Sequence, residues 1–193
     1  MSPVGLVTEV VGPALEPATL SIGAPGPAFE GLLNVDGRRL GFSDFGDRDL
    51  LVLIFSSNRC PTAKAYGERL NALQAAHGPR GVQLVLLNSN DPHLYPDESY
   101  PDMVERAGED GYTFPYLLDE GQRVAQAYGP TRTFEVFVLD RERRLRYHGR
   151  FDDSRIADRV TSPDLTNALD DLLAGREVRV ARTRPFGCSL DLM

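Results

Sequence analysis

Two side chains in this sequence could attack a substrate covalently, Cys60 and Cys188, the only cysteines of 193 residues. A thiolate is the reactive form, so what matters is whether the chain places either sulfur where negative charge is favoured. Cys60 follows the apolar run Leu50 to Phe55 and the polar segment Ser56-Ser57-Asn58-Arg59, and it precedes Pro61. Proline is favoured at the first helical position, where its missing N–H would be unpaired anyway. The spacing therefore predicts Cys60 at the junction of a buried strand and a helix running from Ala63 to about His77. Unpaired N–H groups and the helix dipole at such a terminus favour an anion, and a cysteine there can be a nucleophile at neutral pH. The alternative reading makes both cysteines small buried hydrophobes. Arg59 and Lys64 would add positive charge, or simply meet solvent.

The elements that must hold Cys60 are legible in order. Residues 1–20 are rich in Pro, Gly and Ala without a period, and read as an irregular arm. Leu32 to Val35 and Arg39 to Phe42 flank Asp36-Gly37, a hairpin signal. Leu50 to Phe55 and Val82 to Leu87 read as buried strands, and the helix between them implies a parallel, adjacent pair. A loop from Asn88 to about Pro96 leaves the carboxyl end of the second strand, where open α/β sheets place their sites. A second helix, starting at Glu98 or Asp102, reaches about Glu109. Phe114 to Leu118 reads as a short strand and Glu120 to Tyr128 as a short helix. Thr133 to Asp140 and Leu145 to Phe151 form a last hairpin, with the basic cluster Arg141 to Arg146 in its turn. Asp164 to Ala174 is the final helix, and residues 176–193 are a tail carrying Cys188.

Composition excludes several function classes. The net charge is −7 and no long basic run is present, which argues against a nucleic-acid partner. No apolar run approaches the roughly 18 residues of a membrane span. Met1 to Leu15 lacks the pattern of a secretory signal, so a cytosolic protein is expected, where two cysteines mean redox chemistry more often than a staple. His77, His93 and His148 have no metal-ligand spacing, and no nucleotide-binding glycine motif occurs, so no cofactor is expected.

The Leu50–Lys64 segment resembles the active-site segment of the thioredoxin-like superfamily, and most closely its redoxin branch of alkyl hydroperoxide reductases, thiol-specific antioxidants and thiol-disulfide oxidoreductases. The resemblance extends over roughly Ile22 to Leu190. It includes Gly23-Ala24-Pro25 before Phe29, the Phe114-Pro115 segment followed by a helix ending in Tyr128-Gly129, the Gly149-Arg150 segment before Asp152-Asp153, and a Gly187-Cys188-Ser189-Leu190 tail. It implies a single α/β domain of thioredoxin-like fold over 21–175, a central mixed β-sheet flanked by helices, with extensions at both ends. It also implies Cys60 as nucleophile and Cys188 as the resolving thiol, with Ser57, Pro61, Thr62, Thr133 and Phe134 facing the substrate. The Asp152-Asp153-Ser154 segment would order a loop near the site.

The sequence departs from the family pattern in three places. The second cysteine of Cys-x-x-Cys is replaced by Ala63. The Thr-Pro pair that faces the nucleophile in thioredoxins is Thr133-Phe134 here, so a trans bond is expected. The peroxidatic proline falls on Leu53, and the arginine position also falls on Phe134, with Arg132 two residues earlier. The leading expectation is a cytosolic thiol-disulfide oxidoreductase acting on a protein or small-molecule disulfide with an external thiol reductant. The alternatives are a thiol-dependent peroxidase and a non-catalytic module that binds a partner through the Cys60 face. A homodimer is compatible with each.

Overall fold

A computed structural model describes residues 20–193. The expected arm, apart from Leu20, lies outside the described residues, as does the segment read for a secretory signal. The described residues form seven strands: β1 Leu32–Asn34, β2 Arg39–Leu40, β3 Leu50–Ser56, β4 Val82–Asn88, β5 Tyr116–Leu118, β6 Glu135–Leu139 and β7 Leu145–Gly149. They form five α-helices: α1 Pro61–Lys64, α2 Gly67–His77, α3 Tyr100–Glu109, α4 Arg123–Tyr128 and α5 Asp164–Leu173.

The strands make one sheet in the order β2-β1-β5-β4-β3-β6-β7. β4 is parallel to β3 and to β5, and the other pairings are antiparallel. This is the thioredoxin-like α/β fold that the strand-helix order predicts. β3 sits in the middle because it is apolar on both faces. Leu50, Val52 and Ile54 point into one core with Leu70 and Leu73 of α2, Met103 of α3, and Leu165 and Leu169 of α5. Leu51, Leu53 and Phe55 point into the opposite core with Val124, Ala125 and Tyr128 of α4. A strand buried on both sides has no face to alternate, which is why its sequence is a continuous apolar run. Truncating a residue such as Leu53 to Ala would cost about 2–5 kcal/mol. No helix among the described residues is long and apolar enough to cross a membrane.

Two expected elements differ: the helix read over Glu120 to Tyr128 is a 3-10 turn, Glu120–Gln122, followed by α4, with Gly121 (φ +74°) and Gln122 (φ +59°) left-handed at the join. The single helix from Ala63 to His77 is two helices. The ladder is α-helical at Lys64 and Ala65, then tightens to an i→i−3 bond from Tyr66 N–H to Ala63 O. The Tyr66 hydroxyl donates to the buried Asp152 (2.6 Å). Gly67, which opens α2, lies against Asp110, where a Cβ would stand 3.0 Å from a carboxylate oxygen. The tail is more ordered than its composition suggests. Its start runs beside β7, with Ala181 and Thr183 bonded to the backbone of His148, and its end folds back over the site.

Candidate active site

Cys60 is the residue before α1 and is only 2% exposed. Because α1 has four residues, little macrodipole stands behind the sulfur, contrary to the long helix that the sequence implies. The local groups do the work. The Thr133 hydroxyl donates to Cys60 Sγ at 3.1 Å. Cys188 lines the same cavity. Burial pushes the Cys60 pKa up. The Cys188 thiol, the Thr133 hydroxyl and the N–H groups of Ala63 and Cys188 outweigh it and hold Cys60 below the ordinary thiol value. Cys188 moves the other way: burial, then the hydrogen bond and charge of Cys60, raise it. Both cysteines are free thiols. The cavity measures about 460 Å³ and is lined by Ser57, Arg59, Pro61, Asn90, Tyr95, Ser189 and Asp191 besides Cys60, Thr133 and Cys188.

Thr133 reaches the sulfur because Phe134 turns the chain. Phe134 has φ +70°, a left-handed conformation that is strained for a bulky residue. Its ring compensates by stacking on Tyr66 with centroids 4.3 Å apart, and its N–H bonds to Phe55 O. Among the described residues every peptide bond is trans, so Thr133-Phe134 is trans. The Phe134 ring is buried in the core and does not line the cavity, and Thr62 is likewise buried outside it. Of the residues expected to face substrate, Ser57, Pro61 and Thr133 are therefore brought together with both cysteines, while Thr62 and Phe134 act behind them.

Ser57 is part of a buried polar knot that the sequence does not announce. Its hydroxyl donates to Glu98 and accepts from Cys60 N–H (3.1 Å) and Arg59 N–H (3.2 Å). Glu98 has no exposed surface. It also accepts from Asn58 N–H (2.8 Å) and Asn88 Nδ2 (3.0 Å). The carboxylate is thus satisfied by donors of the Ser57–Arg59 turn and by Asn88 of β4 rather than by a cation, and it ties that turn to the sheet.

Comparison with known proteins decides the family. Residues 21–169 match the family described as Redoxin. The chain belongs to the Redoxin family. It is 24% identical over 132 residues to the thiol-disulfide oxidoreductase ResA of Geobacillus thermodenitrificans, covering 68% of this chain and 70% of that protein. A solved structure of an uncharacterized conserved protein from Geobacillus kaustophilus is 37% identical, with TM-score 0.84, over 94% of this chain and 97% of that one. A hypothetical protein from Sinorhizobium meliloti 1021 is 35% identical, with TM-score 0.84, over 91% and 96%. Peroxidoxin BcpB from Mycobacterium tuberculosis shares the fold at 20% identity and TM-score 0.63, over 81% and 99%.

In this Redoxin protein the surroundings of Cys60 are braced from two sides. On one side Asp152 accepts from Tyr66 Oη and Arg69 (2.6 Å each), and Arg69 lies over the Tyr66 ring at 3.7 Å. The loop after β7 is thereby tied to the ring under Phe134, which is the loop ordering expected of Asp152. On the other side Glu135 bonds His148 Nε2 at 2.5 Å, and Arg182 of the tail approaches His148 Nδ1 at 2.7 Å. Because arginine can only donate, Nδ1 accepts and Nε2 carries the proton. Glu135 also accepts from the N–H groups of Thr131 and Arg132, next to Thr133. Arg132 donates to Ser189 Oγ (3.2 Å) and so serves the tail. Arg59 lies over the Tyr95 ring at 4.3 Å, whereas Lys64 points to solvent. His93 is exposed on its loop, and His77 bonds Leu73 O at 3.2 Å, away from the site.

Glu98, Glu135, Tyr66, Tyr95 and Asp191 carry no motif. The signal that could have found Glu98 is a carboxylate at the end of the site-side loop, yet its sequence neighbours Asp97 and Asp102 look the same.

Proposed function

We propose that this Redoxin protein is a thiol-disulfide oxidoreductase in which Cys60 attacks and Cys188 resolves. The supporting observation is the opposed ionisation of two thiols in one cavity, Cys60 lowered and Cys188 raised, with the Thr133 hydroxyl on the Cys60 sulfur. The Cys60 thiolate attacks one sulfur of a substrate disulfide. A Cys60–substrate bond forms, the substrate S–S bond breaks, and the other substrate sulfur leaves with the electron pair and takes up a proton. Cys188 then loses its proton and attacks Cys60 Sγ. The Cys60–Cys188 disulfide forms and the second substrate thiol is released. The substrate disulfide has been reduced by two electrons and the protein dithiol oxidised. An external thiol reductant restores it, in keeping with the cytosolic setting expected from the sequence. The catalytic unit is the body over 21–175 with the tail over 176–193 supplying the resolving thiol.

The Arg132 guanidinium bonds Ser189, which weighs against a peroxidatic arginine on Cys60. The lowered Cys60 pKa weighs against a purely binding module. The test is to give the reduced protein one equivalent of glutathione disulfide and map both cysteines by mass spectrometry. The expected product is a Cys60–Cys188 disulfide, and Cys188→Ser should stop at the Cys60 mixed disulfide. Two unmodified cysteines would refute the proposal.

A further inference from the structure

The tail does more than deliver a thiol. Its main chain is pinned across the mouth of the Cys60 cavity. Thr133 N–H donates to Cys188 O (2.8 Å), and Leu190 N–H donates to Thr131 O (3.3 Å). The Leu190 side chain is 8% exposed, packed into the α4-side core. Tyr95 Oη donates to Asp191 Oδ2 (2.6 Å). Beyond the cavity, Gln122 Nε2 donates to Asp191 O (2.8 Å), Met193 N–H donates back to Gln122 Oε1 (2.8 Å), and Gln126 Nε2 donates to Met193 O (3.0 Å). Gln122 is 3% exposed, holds the left-handed φ +59°, and also donates from Nε2 to Ser89 O (2.9 Å). Gly187 passes so close to Thr133 O that a Cβ would stand 2.1 Å from it.

The consequence for access is geometric. Cys60 is nearly inaccessible, and Cys188, Ser189 and Asp191 form one wall of the space next to it, facing Arg59 and Tyr95. The remaining volume, about 460 Å³, falls in the range of small-molecule sites. A disulfide in a folded protein is flanked by backbone on both sides and would have to displace this wall.

We infer that residues 187–193 are a specificity strap: with the strap docked, Cys60 reacts with low-molecular-weight disulfides, and protein disulfides reach it only when the strap is released. The inference rests on the thiol-disulfide reading of the site and names its substrate class. Gln122 and Gln126 set it from outside the cavity, by holding the end of the strap.

The test uses the full chain carrying Cys188→Ser, so that Cys60 is the single thiol. Two probes are compared. One is a small aromatic disulfide that releases thionitrobenzoate. The other is a small folded protein whose one surface cysteine is blocked as a mixed disulfide with thionitrobenzoate. In both, the Cys60 thiolate forms the new S–S bond and thionitrobenzoate leaves with the electron pair, so its absorbance reads the rate. The strap-released form adds Gln122→Asn, which tolerates the left-handed backbone but is too short for both bonds, and Gln126→Ala. Reaction through a rarely open state is slowed by the open fraction, so release should raise the ratio of the protein-probe rate to the small-probe rate by at least about tenfold, any change in the Cys60 thiolate itself acting on both probes. An unchanged ratio of the two rates overturns the strap. Failure of Cys60 to react with the small probe overturns the underlying thiol-disulfide reading and the strap with it. If the double variant does not fold, a chain shortened after Asp191 removes the same Met193 bonds and is judged by the same ratio.

Discussion

Removing one hydroxyl should retune Cys60 by an amount that follows from its bonds. Thr133→Val preserves shape and deletes the donor that stands 3.1 Å from Cys60 Sγ. The loop should stay in place, because Thr133 N–H still holds Cys188 O at 2.8 Å and Phe134 still stacks on Tyr66. A hydrogen bond to a charged group contributes about 1.5–3 kcal/mol. The lower end applies here, since the same hydroxyl also lies 3.3 Å from Cys188 O and is shared. At about 1.4 kcal/mol per pKa unit, the Cys60 pKa should rise by about one unit.

The sign at each pH follows. Well below the midpoint the thiolate fraction falls about tenfold, but a more basic thiolate is intrinsically more nucleophilic, with a Brønsted coefficient of about 0.4–0.5. The observed rate should therefore fall about three- to fourfold at low pH and rise about threefold on the alkaline plateau. The assay is the pH profile of iodoacetamide alkylation, read on the Cys60 peptide by mass spectrometry with Cys188 intact. In the unsubstituted protein the Cys60 peptide should titrate at lower pH than the Cys188 peptide. Thr133→Ser, which keeps the hydroxyl, should follow the parent profile. A Thr133→Val midpoint that stays put or moves down would refute the assignment of Thr133 as a thiolate donor.

Two further predictions concern the supports. Glu98→Ala strands the Ser57 hydroxyl, the Asn58 N–H and Asn88 Nδ2 in the interior. At about 1–3 kcal/mol per unpaired buried group, urea unfolding should show at least about 3 kcal/mol lost, and a loss under about 1 kcal/mol would mean that the knot is not holding the turn. Gly187→Ala places a methyl against the Thr133 carbonyl and forces the strap off the loop. The Cys60 alkylation midpoint should then move up, as the donors from Cys188 are drawn away, and an unchanged midpoint would show that the strap does not set it.

Much of this architecture is local and therefore readable in the chain. The apolar run of β3 is a consequence of burial on both faces, and Asp36-Gly37 closes its hairpin by short-range turn chemistry. Pro61 marks a helix start without help from elsewhere in the fold. Those signals were enough to place Cys60 at a strand–helix junction and to anticipate the parallel pairing of β3 with β4. The break between α1 and α2 was not readable, because the Tyr66 side chain at the break is bonded to Asp152, 86 positions away, and Gly67 lies against Asp110. Likewise Phe134 looks from sequence like a substrate-facing residue, and only its stacking on Tyr66 turns it inward and sends Thr133 toward the sulfur. The sequence alone picked out Cys60 as the candidate nucleophile and the strand that leads to it, since both readings depend on neighbours in the chain. The tertiary structure alone decided that Cys188 lines the same cavity as Cys60, that Glu98 is the buried support of the turn, and that the tail walls the cavity. Each of these depends on hydrogen bonds between segments far apart in sequence, and no pattern of residue types encodes which distant donor will find which acceptor.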